Sequence, residues 1–274
     1  MAERVVIITG ASSGIGAACA DLFGARGYRV VLAARRLERL EARVKQITAR
    51  GGEALAVRTD VTDGGQNRRL IERTLSEYGR IDVLINNAGI GKLRWLDEQD
   101  PEGEIPLQIQ VNLTAPIQLS RLVLPHFLER GTGQIVNVAS AGAWLAVPTY
   151  SVYTGTKYGL RGFTRSLRRE LRGTSIRVTG VYPGSVDTEF DQQADVGWEI
   201  QSETPAWLLL GPEEVAAKIY QAVQTGKKTV IMPWVMRIPI GLELLLPGVM
   251  SWIFSRFFKR VNGRTIAWGR EEGE

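Results

Sequence analysis

Residues 4–16 read RVVIITGASSGIG, a strand-length apolar run that leads into a turn carrying Gly10, Gly14 and Gly16. The run 4–9 is continuous Val and Ile after its arginine, the pattern of a strand covered on both faces. A helix-length segment, 13–26, follows the turn. Glycines there let the backbone turn tightly and approach a pyrophosphate, while the helix start offers free N–H groups and its positive dipole end. Ser12 and Ser13 add hydroxyl donors, and Ile15 lies in the same turn. The spacing is G-x-x-x-G-x-G, not the general G-x-G-x-x-G. Its place between a strand and a helix is what makes it a nucleotide turn and not merely a tight loop.

Further apolar runs recur at 28–33, 54–59, 81–86, 134–139 and 175–180, separated by helix-length stretches at 36–50, 63–78 and 104–130. Strands alternating with helices predict βαβ units and a parallel sheet, and right-handed crossovers put helices on both faces. The expected architecture is α/β, a Rossmann-like doubly wound parallel sheet in a single domain over 1–231, with a C-terminal extension over 232–274. No linker or solenoid-length repeat divides the chain.

The 274 residues carry 44% hydrophobic and 23% charged side chains, ordinary for a soluble globular protein. A formal charge of +5 spread over this length, without a nucleic-acid motif, gives no reason to expect a nucleic-acid partner. Cys19 is the only cysteine and His126 the only histidine, so no internal disulfide forms and no metal site is expected. Cys19 reads as a small buried side chain. The first apolar run is too short for a signal peptide, and a cytoplasmic location is expected.

The second strand ends in Ala34, Arg35 and Arg36. A carboxylate about twenty residues beyond the glycines would hold the ribose 2′-OH of NAD, whereas a guanidinium pairs with a 2′-phosphate. NADP(H) is therefore expected as cofactor, with NAD(H) the lesser alternative.

Residues 150–159, YSVYTGTKYG, pose a separate question, because three tyrosines surround one lysine. Residues four apart share a helix face, so Lys157 sits beside Tyr153. A nearby ammonium favours phenolate and draws a tyrosine down from its usual value of about 10, toward that of a general acid/base. Tyr158 points away, and Tyr150 lies two turns off, within reach of a substrate only. Ser140 ends the run 134–139 at the sheet edge where open α/β folds bind ligands, and its hydroxyl suits a carbonyl or alkoxide oxygen. Asn112 lies in a long helical segment, either as a satisfied buried amide or as a link in a proton relay.

Together TGASSGIG (9–16), NNAG (86–89), Asn112, Ser140, YTGTK (153–157) and YPG (182–184) resemble the classical short-chain dehydrogenases/reductases, in the family's order over residues 4–231. The resemblance implies a sheet of about seven strands and NAD(P)-dependent chemistry on a carbonyl or alcohol. By it Tyr153 is the acid/base, Lys157 binds the nicotinamide ribose, Ser140 orients the substrate oxygen and Asn112 anchors a relay water. Asp60 and Val61 match the adenine contacts. Asn87, Ala88 and Gly89 match the segment lining the cofactor, and Pro183, Gly184, Val186 and Thr188 match the nicotinamide side. A homodimer or homotetramer is implied as well. Gly155 and Thr156 stand where many relatives carry Ala-Ser, and a close backbone approach would account for the glycine.

Specificity is expected from a lid over 187–211, whose Trp198 and Trp207 either wall an apolar substrate or pack on the body. The tail 232–260 is apolar but interrupted by Arg237, Pro239, Glu243 and Pro247, which argues against a transmembrane helix. A short helix over 248–260 packing on the protein is favoured, with a peripheral membrane contact through 232–260 as the second reading. Arg161, Arg165, Arg168 and Arg172 form a helical stripe expected to be solvated and paired with carboxylates. The expected activity is NADP(H)-dependent interconversion of a carbonyl and an alcohol on an apolar small molecule. The rival is a cofactor-binding regulatory protein of the same fold, which would have no need for Ser140 and Tyr153.

Overall fold

The computed structural model describes residues 3–190, Ala194, Pro205, 207–261 and 264–267. Strands β1 (Val5–Thr9), β2 (Arg29–Ala34), β3 (Glu53–Arg58), β4 (Val83–Asn86), β5 (Gly133–Val138), β6 (Ile176–Pro183) and β7 (Thr229–Met232) form one parallel sheet, ordered β3-β2-β1-β4-β5-β6-β7. The helices are α1 (Gly14–Ala25), α2 (Leu37–Ala49), α3 (Gly64–Tyr78), α4 (Glu104–Ile109), α5 (Ala115–Arg130), α6 (Ser151–Glu170), α7 (Pro212–Thr225), α8 (Arg237–Leu245) and α9 (Pro247–Phe257). The order of strands reverses between β1 and β4, and a crevice opens there beyond the strands' C-terminal ends.

Strand periodicity explains why β1 is apolar throughout. Val6 and Ile8 point to one face, against Cys19 and Phe23 of α1 and Val215 and Ile219 of α7. Val5 and Ile7 point to the other, against Leu70 of α3, Leu119 and Phe127 of α5 and Leu167 of α6. Cys19 is buried, and burial pushes its thiol up, away from reactivity.

The structure differs from the sequence expectation at three elements. The seventh strand, TVIM, is only four residues long and buried only at alternate positions, so it makes no conspicuous apolar run. The helix expected over 104–130 is broken: α4 ends at Ile109 and a π-turn, Gln110–Thr114, intervenes before α5. Asn112 sits in that π-turn. The helix expected over 248–260 stops at Phe257, and the chain continues as an antiparallel hairpin of β8 (Phe258–Val261) and β9 (Arg264–Ala267).

In the extension, Ile240 of α8 and Met250 of α9 pack with Leu145. The outer face remains open, with Trp234 71%, Leu245 80% and Trp252 60% exposed. The two helices meet at a bend of 112°, and no single helix among the described residues is long and apolar enough to cross a membrane. Most of the predicted lid, including Trp198, lies outside the described residues; Trp207 is exposed.

Candidate active site

A cavity of about 780 Å³ occupies the crevice beyond β1 and β4. Gly10, Ser12, Ser13, Gly14 and Ile15 line it. Gly10 and Gly14 have φ of +68° and +53°, a conformation that side-chain-bearing residues rarely adopt. Gly16 does not line the cavity and serves the packing. A Cβ there would sit 2.3 Å from the Gly10 carbonyl oxygen, so its absence lets α1 rest directly on the turn. Ser13 is the N-cap of α1 but makes no side-chain cap. The first-turn N–H groups therefore have no capping hydroxyl, as suits a pyrophosphate. Cavity size, glycine turn and uncapped helix start all fit a dinucleotide.

At the end of β2, Arg35 and Arg36 part company. Arg35 is exposed at the cavity wall. Arg36 is anchored: Nε donates to Ser12 Oγ at 3.2 Å, and Nη2 donates to Ser12 Oγ and Ser13 Oγ at 2.9 Å each. Its Nη1 donates to Glu189 Oε2 at 2.9 Å, while Arg39 Nη1 reaches Glu189 Oε1 at 2.6 Å. Hydrogen bonds from Arg36 and then Arg39 hold the Glu189 carboxyl below its usual range. Asp60 and Val61 line the cavity, and Asp60 Oδ1 accepts from Thr62 N and Oγ1 at 3.0 and 2.8 Å.

Asn87, Ala88 and Gly89 continue the wall beyond β4. Thr9, to which the sequence reading gave no role, ties them to β1. Its Oγ1 accepts from Asn87 N and Ala88 N at 3.0 and 3.1 Å, and Asn87 Nδ2 donates to the Thr9 carbonyl at 3.0 Å. Pro183, Gly184, Val186 and Thr188 line the opposite side. A Cβ on Gly14 would come within 3.0 Å of the Thr188 methyl, so the segments after β1 and β6 meet across the cleft.

The residues expected to carry proton transfer lie at the other end. Tyr153 and Lys157 share one face of α6, are 8% and 4% exposed, and both line the cavity. Lys157 Nζ lies 5.4 Å from the centre of the Tyr153 ring. Burial pushes the Lys157 ammonium down to about 8. Ser140 lines the same cavity, its Oγ accepting from Gly142 N at 3.1 Å. A Cβ on Gly142 would lie 3.4 Å from the Tyr153 ring and 3.5 Å from Ser140 Oγ, so these two side chains flank one point of the backbone.

Asn112 is fully buried behind the wall and does not line the cavity. Its Oδ1 accepts from Ile90 N at 2.9 Å, and its Nδ2 donates to the Ile90 carbonyl at 2.8 Å and to Thr156 Oγ1 at 3.3 Å. The π-turn aims this amide at the segment after Gly89, a local irregularity of a kind common at functional sites. A Cβ on Gly89 would lie 3.4 Å from Asn112 Oδ1 and 3.5 Å from Lys157 Nζ.

The other two tyrosines lie in different surroundings. Tyr150 lines the cavity and meets the Tyr153 ring edge-on at 6.2 Å, whereas Tyr158 donates to the Trp144 carbonyl at 2.6 Å. The arginine stripe is only partly solvated. Arg165 and Arg172 are exposed, but Arg161 donates to the Ala143 carbonyl and stacks 4.0 Å from the Trp144 ring centre. Arg168 Nε donates to the Val178 carbonyl at 2.9 Å. Gly155 faces open space with no atom within 4 Å of a Cβ there, so no close approach calls for the glycine.

Residues 4–197 match the family model described as short chain dehydrogenase. The chain belongs to the short-chain dehydrogenase family. It is 31% identical over 266 residues to 11-beta-hydroxysteroid dehydrogenase A of Sesamum indicum, covering 93% of this chain and 75% of that protein. Among solved structures it resembles a short-chain dehydrogenase from Sphingobium yanoikuyae in complex with NADPH, with a TM-score of 0.77 and 31% identity over 90% of this chain and 95% of that one. It also resembles a 3-ketoacyl-(acyl-carrier-protein) reductase from Brucella melitensis complexed with NADH, with a TM-score of 0.76 and 30% identity over 85% and 98% of the two chains. This short-chain dehydrogenase is an NAD(P)-dependent oxidoreductase acting on a carbonyl or alcohol group.

Proposed function

We propose that this short-chain dehydrogenase uses NADP(H) to interconvert a ketone or aldehyde and an alcohol on an apolar substrate, with Tyr153 as the group that exchanges the proton. The observation that carries the reading is the buried Tyr153–Lys157 pair, which lines the cavity beside Ser140. When bound, the nicotinamide supplies hydride to the carbonyl carbon in reduction or accepts it in oxidation. In the reducing direction the Tyr153 hydroxyl gives its proton to the substrate oxygen as negative charge develops there. The Ser140 hydroxyl donates a hydrogen bond to that same oxygen. The Lys157 ammonium stabilises the phenolate that Tyr153 leaves behind, and burial raises the strength of that interaction. Asn112 fixes Gly89 and Ile90 against this pair. The second lone pair of its Oδ1 suits it to anchor a water that returns a proton by way of Lys157.

Two features support the finer choices. The chain at the end of β2 carries no carboxylate of its own, and the Arg36 guanidinium there, ion-paired with Glu189, converges with the Ser12 and Ser13 hydroxyls, a set of groups suited to a 2′-phosphate. Leu93, Leu145, Val147, Leu208 and Met236 contribute apolar wall to the cavity, in keeping with a bulky, weakly polar substrate. The name of the sesame relative, a hydroxysteroid dehydrogenase, points to the same substrate chemistry. The test is oxidation of NADPH and of NADH across a panel of ketones, aldehydes, steroids and acyl substrates. Faster turnover with NADPH on the apolar members is expected, and a clear NADH preference would overturn the cofactor assignment.

A further inference from the structure

We infer that Glu189 sets the balance between NADP(H) and NAD(H) by holding, with its own carboxylate, the face of Arg36 that a 2′-phosphate would take. The inference rests on the reading of Arg36 as the phosphate ligand, and its argument is the hydrogen bonding of that guanidinium. Nε and Nη2 are held by Ser12 and Ser13, and Nη1 is held by Glu189, so every nitrogen of Arg36 is already engaged. Glu189 itself lines the cavity. An incoming phosphate dianion must displace this carboxylate or lie against it, and like charges in one site oppose each other. A cofactor with a 2′-hydroxyl meets no such conflict, and its O–H can donate to the carboxylate that stays.

Arg39 completes the arrangement. It holds Glu189 Oε1 while Arg36 holds Oε2, so the carboxylate is gripped from both sides and does not swing away freely. Once Glu189 is displaced, the Arg36 guanidinium in the cavity wall is left to face an anion. The side chains of Arg36 and Glu189 are each 36% exposed, so solvent screens the pair and the effect on binding is moderate, on the order of tenfold. Glu189 follows β6, more than 150 residues beyond Arg36 (|i−j| = 153), so no local sequence pattern connects the two.

Calorimetric titration of the full chain with 2′-phospho-ADP-ribose and with ADP-ribose tests the idea directly. The ratio of the two affinities in the wild-type protein tests the NADP(H) reading; the change in that ratio on Glu189→Gln tests the role of Glu189. Glu189→Gln is expected to raise the ratio about tenfold at low salt, with a smaller gain at high salt. The gain should vanish in the Arg36→Gln background. A ratio that stays within about twofold of wild type in both Glu189→Gln and Glu189→Ala would overturn the inference. A wild-type protein that prefers ADP-ribose would refute the NADP(H) reading, while a gain on Glu189→Gln would still support the Glu189 assignment.

Discussion

At one end of the cavity Tyr153 and Lys157 are 8% and 4% exposed, and the amide of Asn112 behind them is fully buried. At the other end the side chains of Arg36 and Glu189 are each 36% exposed and meet as an ion pair at 2.9 Å. Both ends use charge, but in different dielectric surroundings. A buried ammonium acts strongly on the phenol beside it, whereas a half-solvated guanidinium gives a modest, salt-sensitive preference for one anion over another. Substitutions at the buried end should therefore change the chemistry by orders of magnitude. Those at the exposed end should change cofactor choice by smaller factors.

The largest contrast should come from Lys157. Lys157→Met removes the charge proposed to stabilise the Tyr153 phenolate, and kcat is expected to fall about a thousandfold. The wild-type pH profile makes the same point without a substitution. Burial pushes Lys157 down to about 8 from 10.5, so the free enzyme holds its ammonium below that pH and loses it above. kcat/KM for carbonyl reduction should decline as pH rises through about 8. Stability should respond the other way. Between about 8 and 10.5 the unfolded chain keeps a proton on this lysine that the folded protein has shed, so its contribution makes unfolding less favourable as pH rises. A Lys157→Met protein whose stability changed with pH over this interval just as the wild type's does would contradict the assigned burial of the ammonium.

Ser140→Ala comes next. Removing one donor to a developing oxyanion is expected to lower kcat by about a hundredfold while leaving NADPH affinity unchanged, as steady-state kinetics and a binding titration would show. At the exposed end, Arg36→Gln should weaken NADPH binding by about tenfold and leave NADH within about twofold. Competitive titration with the two nucleotides would show it, and equal losses for both would remove the distinction between the ends. The smallest effect lies outside the cavity wall. Gly155 is an exposed interior position of α6 with free space around it, so Gly155→Ala should stabilise the protein by about 1 kcal/mol in denaturant unfolding and leave turnover unchanged.

Much of the fold and of the buried end was legible because both rest on local periodicity. The Val/Ile run of β1 with its glycine turn and the four-residue step from Tyr153 to Lys157 are written in adjacent residues. Elements fixed by tertiary contact were not. The short edge strand β7 acquires its identity by pairing with β6, and the π-turn that presents Asn112 inserts one extra residue into an otherwise regular helix. Thr9 bonds to Asn87 and Ala88, and Glu189 reaches Arg36, across distances no local pattern spans. Arg161 and Arg168 read as surface charges by spacing alone, yet backbone carbonyls of the loop after β5 and of β6 receive their hydrogen bonds. Burial lowers both guanidinium groups from their usual range.

The central claim is that Tyr153 passes the proton in a site that holds NADPH independently of that hydroxyl. Its most direct test pairs two measurements on Tyr153→Phe: a fluorescence titration with NADPH, and turnover on whichever apolar ketone the wild-type protein reduces fastest. The expected result is NADPH affinity within about twofold of wild type together with a loss of turnover of about a thousandfold or more. Turnover within about tenfold of wild type would contradict it.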